Sequence, residues 1–255
     1  MKKMFAMLLA LVMSLSLLTA CGGSASDSDV EYVKDKGTLV VGITDFAPMD
    51  YKNDNGEWIG FDADMAKAFA ESLGVKAEFI EITWSQKAVE LETKAIDVVW
   101  NGMTITDEVK GLMGVSNAYC KNAQVVVTTA GAGSDISALS FAVEDGSAGA
   151  AALDAEGISY TAVQDQSTAL MEVASGSVDA CVIDLLMAGA MIGEGTNYPD
   201  LVIAKELAGE EYGVGFRKGS DLIDSFNAFY KAAYEDGSVM ACAETYGIAK
   251  NIIAQ

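Results

Sequence analysis

No histidine occurs anywhere in the 255 residues. That removes the side chain most used as a general base near neutral pH and the commonest metal ligand. Positive charge is also scarce: 16 Lys and Arg stand against 37 Asp and Glu, a net charge of −21. Binding a nucleic acid requires a basic face to neutralise phosphates, so no nucleic-acid partner is expected. The acidity favours solubility instead. Only 2 prolines are present, and no long biased tract breaks the chain, which argues against disorder. The 4 cysteines form no CxxC or Cys/His pattern, so no zinc site, other metal or cofactor is expected.

What is present begins with an address. Met1-Lys2-Lys3 is a short basic start, Met4 to Ala20 is uncharged and rich in Leu, Met and Ala, and Leu18-Thr19-Ala20 precedes Cys21. A basic start, an apolar core and small residues before a cut describe a secretory signal peptide over 1–20. A cysteine directly after the small residues resembles the bacterial lipoprotein box, in which Cys21 would carry the lipid. Removing Lys2 and Lys3 takes the net charge from −21 to about −23. The small, acidic stretch that follows (GGSASDSD, 22–29) reads as a flexible tether, and residues 21–37 are assigned to it. The chain is then expected outside the cytoplasm, held to the cell membrane through Cys21. Cys120, Cys181 and Cys242 remain. An odd count cannot form a full disulfide set, and one bridge with a free thiol or three thiols both stay open.

The rest alternates. Thr38 to Ile43 reads as a buried strand, Gly60 to Leu73 as an amphipathic helix stopped by Gly74, Lys76 to Ile82 as a strand, Ser85 to Thr93 as a helix and Ala95 to Trp100 as a strand. The pattern restarts near residue 120, with strands at 124–129, 141–143, 159–163, 180–183, 201–204 and 211–217. Helices are read at 147–154, 168–175, 185–192 and 222–235. The result is two α/β units with a mostly parallel sheet. In such sheets ligands sit beyond the carboxyl ends of the strands.

The segments VGITDFAPMDY (41–51), WIGFDADMAKAFAESLGVKAEF (58–79), AIDVVWNGMTIT (95–106), SNAYCKNAQVVV (116–127), GSVDACVID (176–184) and EYGVGFRKGSDLIDSFN (211–227) occur in this order. Together they resemble bacterial extracellular solute-binding proteins of family 3, which capture polar amino acids for ABC uptake transporters. The likeness covers roughly residues 38 to 248. It implies the α/β, two-lobed periplasmic-binding-protein-like class II fold with a two-strand hinge. Lobe 1 would be 38–122 with 214–255, lobe 2 would be 123–213, and the crossings would lie near 119–124 and 210–215. A monomer is expected to clamp an amino-acid-like solute and present it to a membrane permease.

The resemblance also points to residues. Phe46 and Trp84 would offer aromatic faces to the ligand. Asn101, Gly102, Met103 and Thr104 would supply backbone and hydroxyl hydrogen bonds, Gly102 allowing close approach. Gly146 with Ser147 and Ala148 starts a helix whose N–H groups suit a carboxylate. Asp184, five residues after Asp179, would pair with the ligand's ammonium; Asp179 is read as structural. Trp100 is read as packing, and Thr106 as a helix cap followed by the acidic Asp107 and Glu108. One departure stands out. Where the family has an arginine for the ligand carboxylate, this chain has Val109, and the adjacent Lys110 does not share its face. Glu144 falls at another cleft position. Two carboxylates and no matching arginine suggest a cationic ligand. The contrasting reading is an enzyme on the same fold, a cyclohexadienyl-dehydratase-like lyase, for which Glu144 and Asp184 would be the acidic candidates; a binding protein without catalysis is preferred.

Overall fold

The computed structural model describes residues 28–132 and 135–255. The expected signal peptide, Cys21, residues 22–27 and the Gly133-Ser134 step lie outside the described residues. The tether assigned to 21–37 is too long: Asp29–Lys36 forms helix α1. Ser28 caps it by accepting from the Glu31 N–H, and Gly37 closes it in the left-handed region at φ 78°. Buried Val33 and an ion pair between Asp29 and Arg217 (Nε to Oδ2 3.0 Å) hold this helix to the body. That anchoring is why an acidic, polar stretch is structured here.

The first half follows as β1 (Thr38–Ile43), β2 (Tyr51–Lys52), β3 (Trp58–Ile59), α2 (Phe61–Ser72), β4 (Lys76–Glu81), a 3₁₀ turn at Trp84–Gln86, α3 (Lys87–Glu92), β5 (Val98–Thr104), α4 (Asp107–Leu112) and β6 (Gly114–Val115). Next come β7 (Cys120–Thr129), β8 (Phe141–Glu144), α5 (Ala148–Ala155), β9 (Tyr160–Val163), α6 (Gln166–Ala174), β10 (Ala180–Asp184), α7 (Leu185–Met191), β11 (Leu201–Phe216), α8 (Leu222–Glu235) and α9 (Ser238–Thr245). The main sheet runs β4-β1-β5-β11-β7-β10-β8-β9, with β6 on β11. Each lobe is a parallel trio, β4-β1-β5 in one and β10-β8-β9 in the other. Between the trios lie β7 and β11, antiparallel to each other and to the trio strand each one borders.

The 201–204 and 211–217 segments are one strand rather than two. β11 keeps pairing with β7 from Leu201 opposite Thr129 to Tyr212 opposite Cys120, with register shifts between Ile203 and Lys205 and between Glu206 and Gly209. The intervening polar, exposed residues break the apolar signature of a strand but not its ladder. Where Asn122 faces Glu210 and Ala123 faces Gly209, the pair passes from one half to the other.

Core packing explains the helices. In α8 the buried residues Leu222, Phe226, Tyr230 and Ala233 recur at spacings of three and four, one stripe of a 3.6-residue period. Phe226 meets Trp100 edge-on at 4.9 Å between ring centres, and Phe69 packs on both. Trp100 is fully buried, as its packing role requires. Helix α9 carries buried Val239 and Ala243 and was not read from sequence, since eight residues with one apolar turn give little periodicity. Cys120, Cys181 and Cys242 are all free thiols. Burial pushes the Cys242 thiol up to about 12, so it stays protonated.

Candidate ligand-binding site

A cavity of about 80 Å³ opens between the halves. That is room for roughly half a dozen water-sized groups. One wall comes from the carboxyl end of β5 and the Trp84 turn: Trp84, Asn101, Gly102, Met103 and Thr104, with Lys87 and Val109 beside them. The opposite wall comes from the ends of β8 and β10 and the start of α5: Glu144, Gly146, Ser147, Ala148 and Asp184, with Gln124 and Gln166. The halves touch across it. Lys87 Nζ donates to the Gly146 carbonyl (3.1 Å), and Ser167 Oγ donates to Asp45 Oδ2 (3.1 Å).

Nine of the ten residues expected at the ligand line this cavity, and Phe46 does not. The Phe46–Asp50 turn, closed by Phe46 N to Asp50 O at 2.7 Å, turns the ring inward. It is 1% exposed, meets Tyr212 edge-on at 6.3 Å, and fills the space that Gly102 leaves by lacking a Cβ. Gly102 has φ 55°, the left-handed region, and donates its N–H to Asp62 Oδ2 at 2.7 Å.

Asn101 is spent within the protein. Its Oδ1 accepts from the Thr44 N–H (3.0 Å) and hydroxyl (2.8 Å), while its Nδ2 donates to the Thr44 carbonyl (3.0 Å) and Asp50 Oδ2 (2.8 Å). All four positions of the amide are thus occupied. Beneath it Asp50 and Asp62 are fully buried. Burial first, then Asp62, holds Asp50 well above the ordinary carboxylate range, and burial raises Asp62 to about 7 against hydrogen bonds from Tyr119 and Gly102.

Asp184 is equally engaged. Its Oδ1 accepts from Asn122 Nδ2 (2.5 Å), Tyr212 OH (2.5 Å) and Gln124 Nε2 (3.1 Å), and its Oδ2 from Gln166 Nε2 (2.5 Å). Glu210 shares the Asn122 and Gln124 amides at 2.6 and 2.8 Å. Burial first and Glu210 second hold the Asp184 carboxyl well above its usual range. The carboxylate expected to meet the ligand's ammonium is therefore the centre of a network joining β7, β10, β11 and α6. Sequence reading missed these partners. Their signal was there: Asn122 and Gln124 alternate with apolar residues on a buried strand, where an unpaired amide would be costly.

Glu144 behaves differently. It is 2% exposed, and its Oε1 has no hydrogen-bond partner. Burial first, then Asp165, pushes it up to about 8, while Lys87 pulls the other way. Lys87, also missed from sequence, is 8% exposed, donates to the Trp84 (3.2 Å) and Gly146 carbonyls, and sits 4.7 Å above the Trp84 ring centre. Its signal was position: Trp84 in the turn and Lys87 and Leu91 in α3 lie three and four apart and are all buried, so a lysine there is turned inward. Ser147 caps α5 by accepting from the Ala150 N–H (3.1 Å), leaving the helix start towards the cavity. Thr106 caps α4 through the Val109 N–H, as read from sequence, and Asp179 accepts from the Ser140 N–H and hydroxyl in its turn. Among the described residues no cluster of side chains could hold a metal ion.

Comparison with known proteins places this geometry. The chain is 28% identical over 232 residues to the L-cystine-binding protein TcyJ of Escherichia coli K12, covering 87% of each chain. It is 29% identical over 250 residues to the arginine-binding extracellular protein ArtP of Bacillus subtilis, covering 94% and 95%. Among solved structures, the arginine-bound form of truncated ArgBP from T. maritima superposes with a TM-score of 0.72 at 32% identity, over 79% of this chain and 99% of that one. An enzyme, cyclohexadienyl dehydratase of Pseudomonas aeruginosa, matches at 29% identity over only 50% of the chain and 48% of the enzyme. The family model for bacterial extracellular solute-binding proteins, family 3, matches residues 39–249, and the chain belongs to that family.

Proposed function

We propose that the protein binds a cationic amino acid in the cavity between its lobes and delivers it to the permease of an ABC transporter. The observation that carries this reading is the unpartnered Oε1 of Glu144, buried in a cavity whose walls come from both halves. A buried carboxyl oxygen without a partner is unfavourable, and a ligand ammonium or guanidinium would satisfy it and favour its ionised form. Binding of arginine by several of the similar proteins supports the same choice. The lobes are taken as 38–122 with 214–255 and 123–213, since β7 and β11 cross between the trios near Asn122 and Glu210. The chain acts as a monomer, lipidated at Cys21 and held outside the cytoplasm. No helix among the described residues is long and apolar enough to cross a membrane. It binds without catalysis.

A thermal-shift screen of the purified protein against the twenty amino acids and ornithine tests the reading. Arginine, lysine or ornithine should raise the melting temperature most; a ligand at 100 times its Kd stabilises by about 2.7 kcal/mol. Largest stabilisation by an acidic or neutral amino acid would reject the cationic preference. No stabilisation by any amino acid would reject the binding reading. Turnover of a cyclic acid by the pure protein would favour the lyase.

A further inference from the structure

We propose that Lys87 is the residue that recognises the carboxylate of the bound solute, so that the cavity selects molecules carrying a free acid at one end and a cation at the other. The inference rests on the binding reading above and adds the group that sets its specificity.

The argument starts from an imbalance. Lys87 is the buried lysine among the described residues, and its ammonium has three hydrogens to donate. Two go to the carbonyls of Trp84 and Gly146. No carboxylate among the described residues lies within 4.0 Å of Nζ, although Glu144, Glu108 and Asp145 are near enough for their charge to be felt. Burial lowers the Lys87 pKa, which shows that the charged form lacks full compensation. Carbonyl dipoles and the face of Trp84 offset part of the lost hydration; an anion would offset the rest.

Across the same cavity Glu144 shows the complementary deficit, a buried oxygen without a donor. The ammonium and the carboxyl face one space but form no ion pair of their own, and a cation beside Glu144 would favour loss of its proton. A zwitterion of suitable length would satisfy both: its carboxylate on Lys87, its cation on Glu144. Val109, on the same wall, offers no charge, so the wall's positive charge comes from α3. Because Lys87 also reaches the Gly146 carbonyl of the other half, the group that holds the acid also senses closure.

Isothermal titration with L-arginine and L-argininamide, or with the acid and amide of whichever amino acid ranks first in the screen, tests the proposal. The wild-type protein should prefer the acid by roughly 10- to 100-fold, the worth of one buried hydrogen bond to a charged group. Lys87→Met keeps an unbranched apolar side chain one atom shorter and should erase that preference, weakening the acid by far more than the amide. Equal wild-type binding of acid and amide would overturn the proposal without needing any variant. So would a Lys87→Met protein that loses both ligands equally, since that marks a role in closure alone. A wild-type protein that binds neither ligand and no amino acid in the screen instead sinks the underlying binding reading.

Discussion

Asn101 and Glu144 face the same cavity from opposite walls, each near the carboxyl end of a parallel strand, yet they are provisioned in opposite ways. The amide of Asn101 has four partners, all supplied by Thr44 and Asp50. The carboxyl of Glu144 has an oxygen with none. A polar group saturated by its own lobe ties β1 to β5 and holds the wall in shape. A polar group left short by the protein is where an incoming molecule gains most. Position at a strand end thus does not decide whether a residue serves the wall or the ligand; its unfilled hydrogen-bonding capacity does.

The largest effect expected from this contrast is on stability. Asn101→Ala should destabilise the protein by on the order of 3–5 kcal/mol, since it strands the Thr44 backbone and Asp50 in a buried site. The midpoint of urea denaturation measures it. A loss of under 1 kcal/mol joined to a large loss of ligand affinity would invert the comparison, making Asn101 the ligand contact.

Glu144→Gln should do the reverse. The folded protein holds a proton on Glu144 up to about pH 8, while the unfolded chain gives it up near 4.5. The folded state therefore binds more protons across that window, and stability falls as pH rises through it. Asp62, raised to about 7, contributes in the same direction. Melting temperature should fall from pH 5 to pH 8.5 in the wild type and less steeply in Glu144→Gln. The variant should also bind a cationic amino acid roughly 10- to 100-fold more weakly at pH 8. Wild-type affinity for that ligand should rise with pH through about 8, because the cation binds the deprotonated form. A pH-independent affinity in the wild type would detach Glu144 from the ligand.

The smallest effect belongs to the exposed contact between the lobes. Ser167→Ala removes the exposed hydrogen bonds to the Asp45 carbonyl and Oδ2 and should change stability by less than about 0.5 kcal/mol. Ligand affinity, read by the same titration, should stay within about twofold. A tenfold change would mean that closure is governed at the rim rather than by the groups facing the cavity.

Much of the fold was readable because periodicity survives burial. The spacing in Gly60 to Leu73 and Leu222 to Glu235 marks apolar stripes, and helices form within a residue of where they were expected. The ordered segments from VGITDFAPMDY to EYGVGFRKGSDLIDSFN carried the likeness that pointed to nine cavity-lining residues. Two readings differ from the structure for local reasons. The resemblance placed Phe46 at the ligand, but a tight turn sends its ring under Gly102. Residues 29–36 looked like tether because they are polar, but their anchor, Arg217, lies nearly two hundred residues away.

The amino-acid sequence by itself determined the two α/β units, the family and the strand ends at which a solute would meet the chain, because apolar periodicity and turn chemistry are local properties. Tertiary structure alone decided which polar groups there are already satisfied. Asp184 draws its donors from Asn122, Gln124, Gln166 and Tyr212, and Lys87 finds a carbonyl in the other half. Such partners depend on contacts across the hinge and cleft between segments far apart in the chain, and hydrogen bonding and desolvation are set by those contacts rather than by neighbours in sequence.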